Sequence, residues 1–169
     1  PAQNLDAPRD VAFTDGQVVA VTESDDTTQA NEIIDAQDLL VVPGLIDLHV
    51  HVFDAVSHYG IPPDPTCLER GVTTAVDAGS AGAAVWPGFD KFIIEASETR
   101  LYAMLNISRI GLVTGAELDP PVGELDDLRH LNVPAAVQCI EENRDKILGI
   151  KIRLSDNLAA GGENEMPAL

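Results

Sequence analysis

The stretch Pro43-Gly44-Leu45-Ile46-Asp47-Leu48-His49-Val50-His51 decides how this chain is read. Leu45, Ile46, Leu48 and Val50 form a near-continuous apolar run behind a Pro-Gly break, which predicts a buried strand. Side chains alternate across a strand, so Asp47, His49 and His51 are expected on one face. Two imidazoles two residues apart at a strand end can aim their nitrogens into one space and serve one metal ion. Bare His-X-His pairs also arise freely, and a satisfied core histidine beside a partly exposed one is the competing reading.

Outward from this stretch the chain has two rhythms. Before it, Val11-Ala12-Phe13 and Val18-Val19-Ala20-Val21 flank Asp15-Gly16, a strong hairpin cue, with further strand-like runs at Ile33-Ile34 and Leu39-Leu40-Val41-Val42. Residues 22–31 are polar and acidic and read as an exposed loop. After Pro43 the order becomes strand, loop, helix, which belongs to βα units around a parallel sheet. Strands are predicted at 45–50, 73–77, 101–107 and 147–154, adjacent and parallel in that order. Helical turns are predicted at 66–70, stopped by Gly71, and over 89–99, with Phe89, Phe92, Ile93 and Ala96 at helical spacing. A further helix takes Asn132 as its N-cap and Pro134 in its first turn, burying Val137 and Ile140, and another is expected to begin at 166–169.

Composition narrows the classes. A chain of 169 residues with 45% apolar content and mean hydropathy +0.05 can bury a real core. Its 28 acidic residues against 10 basic give a net charge of −18, which repels phosphate backbones and anionic lipid. No nucleic-acid or membrane role is expected. No apolar run approaches the ~20 residues of a membrane span, and the start lacks a basic, apolar leader, so a cytoplasmic location is expected with Cys67 and Cys139 as reduced thiols.

Several further residues could carry chemistry. Lys151 lies in the apolar run Ile147-Leu148-Gly149-Ile150-Lys151-Ile152. A lysine there either snorkels from the strand or is held close to other charges, where burial disfavours the ammonium. Asp77 ends the second strand, as partner of a ligand histidine or as a loop cap. Beyond it, Gly79-Ser80-Ala81-Gly82 is a flexible loop whose N–H groups could meet a substrate oxygen. Asn106 and Ser108 alternate near the end of the third strand, facing the site or serving as core and cap residues. His58 lies on a loop at the same end and reads as solvent-exposed, and His130, among acids, as surface. A nucleophile elbow and a phosphate loop are absent.

Pro43–His51, Gly71-Val72-Thr73-Thr74-Ala75-Val76-Asp77-Ala78-Gly79-Ser80-Ala81-Gly82, Leu105-Asn106-Ile107-Ser108 and Gly149-Ile150-Lys151-Ile152-Arg153-Leu154-Ser155 occur in the order of the first four barrel strands of the amidohydrolase superfamily. The chain resembles its amidohydrolase/deacetylase subgroup, close to dihydroorotases and D-aminoacylases, from about Asp10 onward. The resemblance implies an α/β fold: strands 1–4 of a TIM-type (β/α)8 barrel with their helices over 45–169, preceded by part of a small β-sandwich over 1–44. It implies two Zn2+ ions in the intact enzyme, held by His49, His51 and Lys151, the last carrying a carbamate derived from CO2 whose oxygens bridge the metals. A metal-bound hydroxide would then attack an amide or ester carbonyl of a small acylated substrate, N-acyl or O-acetyl. Two further histidines and the catalytic aspartate fall beyond Leu169, so the chain is expected to be an incomplete fragment, inactive alone, of an enzyme that assembles as a homo-oligomer. Dihydroorotases carry a basic residue directly after the second histidine, where this chain has Val52-Phe53, so a cyclic amide substrate ranks second. A non-catalytic relative serving as an assembly or binding module is the reading from another class.

Overall fold

The computed structural model describes residues 7–23, 29–115 and 118–164. The helix expected at 166–169 and much of the loop expected at 22–31 lie outside them. The chain divides into two units, Pro1–Val42 and Pro43–Leu169.

In the first unit, β1 (Asp10–Thr14) and β2 (Gln17–Thr22) pair antiparallel, with Thr14 opposite Gln17. Asp15 and Gly16 join them with φ of 51° and 73°, the two left-handed residues of the tightest hairpin turn. The strand-like runs at 33–34 and 39–42 enter no strand among the described residues, and Ile33 and Leu40 are exposed. Apolar, β-branched residues favour extended backbone, but a strand also needs a neighbour for its N–H and C=O groups.

The second unit is built on a parallel sheet in the order β3 (Leu45–Val50), β4 (Val72–Asp77), β5 (Arg100–Asn106), β6 (Ile147–Lys151). This is a partial TIM-type barrel, consecutive strands neighbouring in chain order with the sheet not closed. One face carries the core: Ala75, Leu101, Ala103, Leu105 and Ile147 meet Trp86, Phe89, Ala136 and Cys139 from the helical layer. That layer is fragmented. It consists of α1 (Pro63–Thr66) with a 3-10 turn ended by Gly71 at φ 87°, α2 (Trp86–Phe89) running into a π turn, and α3 (Val133–Glu142).

Three expectations change here. β3 is an edge strand, and Leu45, Ile46 and Leu48 are exposed rather than buried, because only β4 flanks it among the described residues. In the helix expected over 89–99, the Glu95 N–H reaches back five residues to the Asp90 carbonyl, and this wider turn swings Phe92 into solvent. In α3, Asn132 does cap Ala135 N–H at 3.1 Å, but Ala136 and Cys139 form the buried face with Ile140 partly covered, while Val137 lies exposed. Burial pushes the Cys139 thiol up to about 11, assisted by the charges of Glu142 and Asp90.

Candidate functional site

The histidine pair is shaped by a slip in the β3–β4 ladder. Asp47 stands in register with Ala75 and Val50 with Asp77, three residues on one strand against two on the other. The Asp47 carboxylate accepts the His49 N–H at 2.9 Å inside this bulge. Asp47 therefore does not share a face with the histidines as plain alternation predicts. Val50 turns into the core, and its neighbours His49 and His51 project from the other side. Their rings meet edge to face, centroids 5.6 Å apart.

His51 is the better supported of the two. Its Nδ1 lies 2.9 Å from the hydroxyl of Ser80, and its ring is 5.6 Å from that of Tyr59. Burial pushes its pKa below the ordinary histidine value; the Asp77 carboxylate pulls the other way, and the charges of His49, Arg153 and Lys151 add to the lowering. A neutral imidazole is the form that binds metal.

Asp77 is fully buried, and its carboxylate accepts three backbone N–H groups: Val52 at 2.8 Å, Gly79 at 3.0 Å and Ser80 at 2.6 Å. It thus ties the residue after His51 to the loop that carries Ser80. The Gly79 and Ser80 N–H groups are committed to this carboxylate, which corrects the expectation that they face a substrate oxygen.

Lys151 ends β6, in register with Asn106 on β5. A Cβ built on Gly79, at φ +99°, would lie 2.6 Å from Lys151 Cγ, so the lysine stem occupies the space left by the missing side chain. The strand expected to run to Leu154 stops here; Ile152 and Leu154 pack instead on a second small core around Leu125 and Ala159. Asn106 is buried, donating to the Gly79 carbonyl at 3.0 Å and accepting from the Ser108 N–H at 2.9 Å. Its amide also reaches Glu124, which grips Arg153, and Arg153 hydrogen-bonds Tyr59. The side chains of Tyr59 and Glu124 had no sequence signal of their own, and Ser80 was marked only through the backbone of its loop. Arg153, two residues after Lys151 and thus on the same side of an extended chain, was the one open to inference.

Ser108 is fully buried, bound through its N–H. His58 is half-buried rather than solvent-exposed: its Nδ1 is 3.3 Å from the Leu112 carbonyl and its ring 4.0 Å from Tyr59. The loop folds back on itself, Ile61 N–H bonding the His51 carbonyl and Gly60 N–H that of Ser57, which carries His58 inward. His130 is half-buried at the edge of the 3-10 turn 128–130.

These residues suit a divalent metal by chemistry: two adjacent imidazoles, one with its pKa lowered by burial, and a lysine given clearance by a glycine. Among the described residues no three His, Cys, Asp or Glu side chains cluster, so the remaining ligands would be of another kind or from elsewhere.

No family model matches the chain. A deacetylase of Agrobacterium fabrum is 40% identical over 141 residues, 83% of this chain and 34% of its own length. The solved structure of a dihydroorotase superposes with a TM-score of 0.80 at 37% identity, covering 94% of this chain and 41% of the other. That of an adenine deaminase gives 0.73 at 30% identity, covering 93% and 40%. The four consecutive parallel strands define part of an α/β-barrel protein. The chain belongs to the amidohydrolase superfamily, with deacetylases and dihydroorotases among its relatives, and it spans about a third of the length of the curated relatives it matches.

Proposed function

We propose that this chain is part of a zinc-dependent hydrolase that cleaves the N-acyl or O-acetyl bond of a small acylated molecule. The observation that carries the reading is the convergence of His49 and His51 on the face opposite the core, with Gly79 leaving room for Lys151. In this reading His49, His51 and Lys151, the last as its carbamate, are the residues of this chain that would hold the zinc. Zinc at such a site lowers the pKa of a coordinated water and polarises a carbonyl. The chain's own contribution is positional. Asp77 fixes the loop under His51, Asn106 pins the carbonyl of Gly79 beside the lysine stem, and the Tyr59 ring lies between those of His51 and His58, 5.6 Å and 4.0 Å from them.

A deacylase is favoured over a cyclic amidase by Val52. It is fully buried with its N–H bound to Asp77, so the position where a dihydroorotase is expected to carry a basic side chain is here part of the core. The test is to supply the full-length protein with zinc and bicarbonate and to measure bound metal, intact mass and hydrolysis of N-acetylated amino acids beside dihydroorotate. Deacetylation lost in His51→Ala and Lys151→Ala is expected. Full-length protein that retains activity in both variants overturns the proposal.

A further inference from the structure

The contacts of His51 form a closed ring. Asp77 takes the N–H of Val52, the residue after His51, and the N–H of Ser80, whose hydroxyl meets His51 Nδ1 at 2.9 Å. The chain thus returns to the same imidazole by two routes from one carboxylate. Asp77 and Ser80 are both fully buried, and Ser80 is fixed again through its carbonyl, which accepts the Leu112 N–H at 2.9 Å. The serine is therefore held from both its N–H and its carbonyl, on the buried side of a half-buried imidazole.

A neutral imidazole has one N–H and one bare nitrogen. With Nδ1 against Ser80, the ring nitrogen left for any other partner is Nε2. For Nε2 to be bare, the proton must sit on Nδ1, and Ser80 Oγ is the atom placed to accept it. The ring tautomer of a metal-binding histidine is generally set in this way by the partner of its other nitrogen.

We propose that Ser80 is a positioning residue for His51: its hydroxyl accepts the Nδ1 proton, leaving Nε2 as the ring's donor atom, and Asp77 holds Ser80 in place to do so. The Nδ1–H tautomer and its consequence for zinc rest on the reading of the site as a metal centre, because a serine hydroxyl can also donate to a bare Nδ1; the Ser80–His51 contact does not. Asp77 therefore acts on the histidine one residue removed, as the cap of the loop that carries Ser80, the second of the two roles the sequence offered.

The experiment is 15N NMR of the metal-free full-length protein at pH 8, with the His51 signals assigned from a His51→Gln variant, followed by zinc titration. Wild type is expected to show the Nδ1–H tautomer. Ser80→Ala is expected to shift His51 toward the Nε2–H form and to weaken zinc binding about 10- to 100-fold. Ser80→Thr, which keeps the hydroxyl, is expected to retain the wild-type tautomer, and this separates positioning from packing. Asp77→Asn should loosen the tautomer preference although the serine remains. An unchanged His51 tautomer in Ser80→Ala overturns the proposal. If wild type binds no zinc but the tautomer shifts as described, the metal reading fails and the positioning role stands.

Discussion

Glu124 and Arg153 form an ion pair in which both carboxylate oxygens lie 3.1 Å from Arg153 Nε, with the glutamate 1% exposed. Nη2 completes the grip on Oε2. Burial pushes the guanidinium down, but the hydrogen bonds and charge of Glu124, with Tyr59, more than offset this and raise it. A carboxylate in that position tolerates its charge only while the arginine is present. Arg153→Met should therefore cost on the order of 3 kcal/mol, and Arg153→Met with Glu124→Gln distinctly less, because the stranded charge is gone. Urea unfolding of the single and double variants would show this; a double variant no better than Arg153→Met would contradict it.

Gly79→Ala tests the space beside Lys151. The new Cβ would lie 2.6 Å from Lys151 Cγ at a backbone φ of +99°, so the residue is strained and the lysine must move. A stability loss of roughly 1–3 kcal/mol is expected from the backbone alone, together with loss of zinc uptake by the full-length protein. Unchanged melting and metal content would show that the contact is not tight.

Asp64 links α1 to the start of β5. Its Oδ1 accepts from Thr99 N–H at 2.8 Å and Thr99 Oγ at 2.7 Å, and Oδ2 from Glu98 N–H at 3.1 Å. Desolvation works against the charged form, but these hydrogen bonds prevail and lower the Asp64 pKa. Asp64→Ala leaves the buried Thr99 groups without their acceptor, a change of about 1–3 kcal/mol. Hydrogen exchange at Thr99 should accelerate with it, and protection equal to wild type would refute the link.

Cys139 predicts a loss of stability in alkali. Its folded pKa of about 11 stands above the 9.0 of an ordinary thiol, so between these values the unfolded thiol has released its proton and the folded one has not. Fewer protons on the unfolded state make stability fall as pH rises, a contribution intact below 9 and spent by 11, at most roughly 2–3 kcal/mol. Denaturation of wild type and Cys139→Ala at pH 8 to 11 isolates it, since other groups titrate alike in both. Parallel curves would rule it out.

The order and direction of the four barrel strands, the Asp15-Gly16 hairpin and the Asn132 cap were legible in the sequence because each depends on local signals: apolar runs, turn residues and a capping side chain read along the chain. That His49 and His51 lie side by side was legible for the same reason, from alternation along β3 and the residue that follows it. The bulge that separates them from Asp47 was not, since it is a mismatch between two strands and exists only once β4 lies beside β3. Nor were the widened turn that exposes Phe92, the inward turn of His58, or the choice of Glu124 from a run of acids to be buried against Arg153. Ser80 met His51 across 29 positions of sequence because Asp77 gathered both backbones, and a contact made through a third residue's carboxylate leaves no periodic trace in the chain.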